Sequence, residues 1–234
     1  MNPIVIAPSC GRCSTSTGRG LNRTQALGLL LALAGAPLFV VFSELVFGES
    51  PGIGIQILLQ LLYCGLAATL VWFVLRVERL PLTSIGLRRP TWMTVVSGVG
   101  LLFISSFVLA PLTEPLQKAI GTERVQAGVD QLAALPMWFR VVVGVTAGVV
   151  EELCYRGYAV ERLATITRRR WLGGLIAALV FGLVHVPGWG WGFALTADLP
   201  FGLLATAFYL WRRDLVANML THSTGLVIAM ISIG

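Results

Sequence analysis

Apolar residues fill this chain in long runs, and polar residues punctuate the runs instead of alternating within them. A helix needs about 20 apolar residues to cross a hydrocarbon core of about 30 Å. Seven runs meet or approach that length, at about 24–47, 53–77, 92–113, 137–160, 171–187, 190–211 and 214–232. The fifth is short and ends at Pro187-Gly188-Trp189-Gly190. The sixth carries Asp198 and Pro200, which predicts a kink or a break there. There is no strand-like alternation and no internal repeat. The first run is too long for the core of a signal peptide. Its small residues Ala34-Gly35-Ala36 are followed at once by Pro37 and more apolar sequence, so an uncleaved first span is expected. The pattern predicts an all-α, polytopic membrane bundle of about seven transmembrane helices, eight if an extra half-helix forms.

Composition strengthens this picture. The chain has 234 residues, 56% of them hydrophobic and only 12% charged, and its mean hydropathy is +0.82. A soluble domain carries about 25% charged residues. The formal charge of +6 would fit nucleic acid if the basic residues shared one amphipathic face. They lie instead in short clusters between apolar runs, so the expected partner is the lipid bilayer and not nucleic acid.

The positions of those clusters predict an orientation. Arg12, Arg19 and Arg23 precede the first run; Arg76, Arg79, Arg88 and Arg89 follow the second. Arg162, Arg168, Arg169 and Arg170 follow the fourth, and Arg212 and Arg213 follow the sixth. That places thirteen basic residues on one side, against Lys118 and Arg124 on the other. Basic loops stay in the cytoplasm, so the N-terminus is expected inside and the C-terminus outside. Residues 1–23 read as a cytoplasmic, poorly ordered tail, and 24–234 as a single membrane-embedded domain. The polar stretch 114–136 reads as an outer loop with room for an interfacial helix. Cys10 and Cys13 form a lone Cys-x-x-Cys without the second pair or nearby histidine that a zinc knuckle needs. Cys64 and Cys154 lie in apolar runs and read as small buried residues.

Against this background one stretch stands out, Val149-Val-Glu-Glu-Leu-Cys-Tyr-Arg-Gly157. A charge at bilayer depth costs about 2.5 kcal/mol or more, so two carboxylates and an arginine so close together point to function. Glu152 and Arg156 are four apart and share a helix face, where they can pair. Glu151 points about 100° away. It is left as the freer carboxylate in surroundings that disfavour its charge, the condition of a general base or acid. A structural Glu152–Arg156 clamp between helices is the plainer reading, and it leaves Glu151 unexplained.

The two histidines of the chain both fall in apolar runs. Phe181 lies one turn before His185, and Asn218 one turn before His222. Each histidine alone could be a hydrogen-bonded packing residue, and Asn218 with His222 could be interhelical polar glue. Helix rise puts Glu151 and His222 at roughly 12–15 Å from the cytoplasmic face and His185 at about 20 Å. With modest tilt the three meet toward the cytoplasmic side, in a cavity opening inward. Two histidines and a carboxylate around a water suit hydrolysis by a general base, or a metal site with Glu151, His185 and His222 as ligands of a divalent ion such as zinc. No His-Glu-x-x-His is present.

Glu151-Glu152-x-x-x-Arg156, Phe181-x-x-x-His185 and a late His222 resemble the motifs of the CPBP family of intramembrane endopeptidases (CAAX-protease and bacteriocin-processing, or Abi, proteins). The resemblance covers a core of about 137–232. It implies that Glu151 and His185 activate a water, that Glu152 and Arg156 support the site, and that His222 stabilises the oxyanion without a cofactor. It also implies a membrane protein or peptide as substrate. A bacterial inner (plasma) membrane fits the small size. The family pattern has Asn or Asp four residues after the last histidine, where this chain has Leu226. Loss of one oxyanion donor costs about 10²–10³ in rate, and Asn218 is a candidate substitute on the same face. The alternatives are a metal-dependent protease using the same residues, a membrane immunity or scaffold protein without turnover, and a small-solute transporter. The last lacks two halves with matching broken helices.

Overall fold

A computed structural model describes residues 23–48, 51–121 and 123–233, and every described element is helical. Of the expected tail only Arg23 is included; Cys10 and Cys13 lie outside the described residues. The helices are α1 (Arg23–Phe47), α2 (Ile53–Val77), α3 (Trp92–Ile120), α4 (Glu123–Ala133), α5 (137–167), α6 (Arg170–Val184), α7 (Val186–Arg212) and α8 (Leu215–Ser232). Five of these, α1, α2, α3, α7 and α8, are long and apolar enough to cross a membrane. Helix α5 carries the charged motif, and α6 is apolar but has 15 residues. The architecture is that of an all-α polytopic membrane bundle.

Burial separates an inner set of helices from an outer one. In their most apolar windows α7 and α8 are 39% and 33% buried, against 22%, 11% and 11% for α1, α2 and α3. Large side chains such as Leu61, Trp72, Phe103 and Phe107 face outward, which water would penalise and lipid does not. Cys64 belongs to this outward surface and is exposed. The expectation that it is buried fails because an apolar residue gains nothing from burial when its surroundings are hydrocarbon.

Close approach of backbones builds the inner set. Gly144 and Gly148, one turn apart on α5, face Leu226, Val227 and Ser223 of α8. A Cβ at Gly148 would sit 2.5 Å from the Ser223 nitrogen and hydroxyl oxygen. Small residues at that spacing let two membrane helices touch. Gly148→Ala is expected to destabilise the bundle by about 1–3 kcal/mol through overpacking against backbone that cannot yield. A lowered thermal unfolding midpoint in detergent would register it.

The arginine-rich connections gather at one end of the bundle. Arg162 of α5 donates to both carboxylate oxygens of Glu78, just beyond α2, and the Tyr158 hydroxyl donates to the same residue. Arg213, after α7, donates to Glu161 of α5 at 2.9 Å. Asp214 caps α8 and accepts from Thr94 near the start of α3 at 2.7 Å. At the other end Arg140, near the start of α5, donates to the carbonyl of Ile233.

Two details differ from expectation. Helix α3 continues to Ile120, seven residues past the expected end at 113, although Pro111 and Pro115 lie in its path. A π-helical segment at Ser105–Leu109 precedes them. In its wider turn the Ala110 N–H bonds the Ser105 carbonyl, and Pro111, which follows, has no N–H to continue the ladder. Near Asp198 and Pro200, where a kink or a break is expected, the chain does not break; the sharp bend is at Gly190 (φ 80°, ψ 168°), a conformation natural to glycine alone, at the expected boundary between the fifth and sixth runs. Around Asp198 the helix widens to a π segment, Ala194–Asp198, and continues. Within the polar stretch 114–136 the additional helix is α4.

Candidate active site

The charged motif begins where α5 changes its winding. The helix is regular to Glu151, then π-helical over Glu152–Ala159 before it resumes. All eight residues of that segment are buried. Such widened turns cluster at functional sites because they re-aim side chains that a regular helix would stack.

Glu152 and Arg156 are both fully buried, with side chains 0% exposed. Arg156 donates from Nη1 to Glu152 Oε1 at 2.9 Å, and its guanidinium lies 4.0 Å above the centre of the Phe181 ring. His222 donates from Nδ1 to the same Glu152 oxygen at 2.9 Å. Asn218 donates from Nδ2 to Glu152 Oε2 at 3.3 Å and to the Ala205 carbonyl at 2.9 Å. Glu152 is therefore the hub of a buried network and is not free for chemistry. Burial of this kind is tolerated only because the charge is paired and its lone pairs are filled.

Glu151 has a different environment. Its Oε2 lies 3.8 Å from His185 Nε2 and 3.9 Å from His222 Nε2, and its side chain keeps 15% exposure. These separations are too long for direct hydrogen bonds and leave room for a bridging water. The partners of the far ring nitrogens determine what faces Glu151. His185 Nδ1 is 2.7 Å from the Phe181 carbonyl, which can only accept, so Nδ1 carries a hydrogen. His222 Nδ1 donates to Glu152. Each neutral ring then turns the lone pair of Nε2 toward Glu151, and a doubly protonated ring turns a donor there instead.

Phe181 ties the parts together. It is buried, and its ring packs on Tyr155, His185 and Arg156. Its carbonyl fixes the imidazole of His185. Phe201 of α7 packs on His222 with ring centres 4.6 Å apart.

Glu151, His185 and His222 are thus brought together, with Glu152, Arg156, Asn218 and Phe181 around them. The placement of Asn218 differs from the expectation that it substitutes for the donor lost at Leu226. Both hydrogens of its amide are committed to Glu152 and to Ala205, so none is left for a substrate. Leu226 packs against Gly144.

The cavity at the site is also placed differently. It has a volume of about 200 Å³ and reaches from Glu151 and His185 past Val40 to Glu44 and Trp189. Glu44 is three residues from the end of α1, and the Trp189 ring abuts Gly128 of α4. That end carries few basic residues, so the cavity opens away from the arginine-rich end. The inward opening expected from helix depth fails because α6 is too short. It ends beside His185, and the space beyond is left unfilled.

Asp198 and Glu44 join this site without a motif to announce them. Asp198 comes close enough to His185, Glu151 and His222 to interact with their charges. Its buried Oδ2 has no hydrogen-bond partner among the described residues. A carboxylate inside an apolar run is the signal available for it, and that signal indicates a helix break as readily as a site. Among the described residues no group of three or more His, Cys, Asp or Glu side chains has the spacing to hold a metal ion.

The fold and the site define a multi-pass membrane protein with a buried glutamate–histidine centre. Residues 133–226 match the family model described as Rce1-like, type II CAAX prenyl endopeptidase. This stretch runs from the end of α4 into α8 and contains all three motifs, bearing out the resemblance to the CPBP family. The match implies a peptidase of the CAAX-protease type. No curated protein and no solved structure matches the chain.

Proposed function

We propose that the protein is an intramembrane endopeptidase of glutamate type, without a metal. Glu151 and His185 hold a water by its hydrogens. Glu151 takes one proton as the water oxygen attacks the carbonyl carbon of the peptide. The carbonyl oxygen becomes the oxyanion and is met by His222, which donates from Nε2 in its doubly protonated form. Glu152, bonded to Nδ1 of that ring, supports the added charge, and Arg156 holds Glu152 in place. Glu151 then returns its proton to the leaving amine. What carries this reading is one observation: a single oxygen of Glu151 faces the Nε2 atoms of both histidines, at 3.8 and 3.9 Å, beside an open cavity.

The proposed substrate is a membrane protein or peptide whose cleaved bond reaches mid-bundle from the arginine-poor end. The orientation we propose has the N-terminus and the arginine-rich end in the cytoplasm of a bacterial plasma membrane. His222→Ala is expected to lower the cleavage rate by about 10²–10³, the usual cost of an oxyanion donor. The assay is release of fragments from a membrane peptide by the purified protein. Full activity in His222→Ala would remove this role. Chelator treatment is expected to leave the rate unchanged. A loss restored by zinc would instead make Glu151, His185 and His222 ligands.

A second reading, a binding or immunity protein without turnover, is favoured by Leu226, which offers no donor. It predicts no cleavage by the parent protein that depends on Glu151.

A further inference from the structure

The wall of the cavity formed by α1 has a composition of its own. Pro37 sits inside the helix and lacks the N–H that would bond the Leu33 carbonyl. The Tyr155 hydroxyl points at that freed oxygen at 3.5 Å. Beyond this point Pro37, Val40, Val41 and Glu44 continue the same wall. The wall is apolar until its last residue, a carboxylate. The half-buried Trp189 completes the cavity on the other side.

Glu44 has no ion-pair partner among the described residues. None of the described basic residues near that end forms an ion pair with Glu44. Lys118 pairs with Glu114 at 2.6 Å, Arg140 donates to the carbonyl of Ile233, and Arg124 lies along Gly190. A carboxylate and an aromatic ring lining one small apolar cavity form a receptor for a cation on an aliphatic stem. The stem covers the valines, the charge meets the carboxylate, and the ring attracts the same charge.

We propose that the Glu44 end of the cavity is a subsite for a lysine or arginine side chain of the substrate polypeptide. This rests on the endopeptidase reading and adds a substrate class to it. The wall from Ala36 to Glu44 spans about 12 Å at helical rise. An extended peptide covers that in about four residues, so the basic residue lies within about four positions of the cleaved bond.

The test uses the full-length protein in nanodiscs of zwitterionic lipid and two single-span peptides, one with lysine and one with norleucine at the same position. Binding is measured in Glu151→Gln protein so that no cleavage intervenes. The lysine peptide is expected to bind about tenfold tighter. Glu44→Gln, at an exposed position where the fold stays intact, should erase the difference. Glu44→Lys should reverse it in favour of a third peptide carrying glutamate. Equal binding of the two peptides, a preference surviving Glu44→Gln, or equal loss of both peptides in that variant would each overturn the subsite. Cleavage is scored separately with the parent protein. A charge preference without Glu151-dependent cleavage would remove the endopeptidase reading and leave the subsite standing.

Discussion

Glu151→Gln is expected to abolish peptide cleavage, by about 10²–10⁴-fold for the general-base step alone, while the thermal unfolding midpoint stays close to that of the parent. The two halves of this expectation have one cause. Glu151 makes no direct hydrogen bond to either histidine, standing 3.8 and 3.9 Å from them. It is partly open to the cavity, so the fold loses no close partner when its charge goes. The amide keeps the shape and removes the ability to take a proton from water. Peptide release and unfolding, measured on the same preparation, check both halves. Undiminished cleavage would end the mechanism. A large loss of stability would show that Glu151 is a structural member of the network.

Arg156→Leu is expected to have the opposite profile, destabilising the bundle by about 3–5 kcal/mol because it strands a buried carboxylate. Glu152 would keep His222 and Asn218 as donors and lose the guanidinium that balances its charge. Phe181 would lose the cation over its ring. The effect should be rescued in part by neutralising the stranded partner, since replacing a whole buried pair costs far less than breaking it. The double variant Arg156→Leu with Glu152→Gln should therefore unfold later than Arg156→Leu alone and still cleave poorly, because His222 then has no carboxylate behind it. Unfolding midpoints in detergent for the single and double variants decide the point. Additive destabilisation would show that Glu152 and Arg156 do not act as a pair.

The contrast between neighbouring glutamates is the main chemical feature of the site, and part of it is legible in the sequence. The spacing of Glu152 and Arg156 is enough to pair them on a helix, and it leaves Glu151 aside. What spacing does not contain is the widened turn over Glu152–Ala159. A local winding change depends on packing against α1, α6 and α8, which lie far away along the chain. Asn218 shows the same limit. Helical periodicity puts it on the face of His222, where it could serve either a substrate or the packing of helices. The positions of Ala205 and Glu152 settle which groups take its hydrogens. Asp198 is visible as a charge in an apolar run. Its approach to the histidines requires α7 to fold back along α6 after the bend at Gly190.

Sequence alone determined that this chain is a helical membrane bundle, because a hydrocarbon solvent leaves helices as the way to satisfy long apolar segments of backbone. It also determined which residues are chemically expensive, because polar and ionisable groups in such segments are few and each must be justified. Tertiary structure alone decided how those residues divide the work. Glu152 is enclosed by donors from Arg156, Asn218 and His222, while Glu151 is left facing two imidazoles across a water-sized gap. It also decided which end of the bundle opens. The short α6 ends beside His185 and leaves the space that Glu44 and Trp189 enclose. Partners on separate helices set both outcomes, and the distances between helices are fixed by packing, which no local pattern encodes.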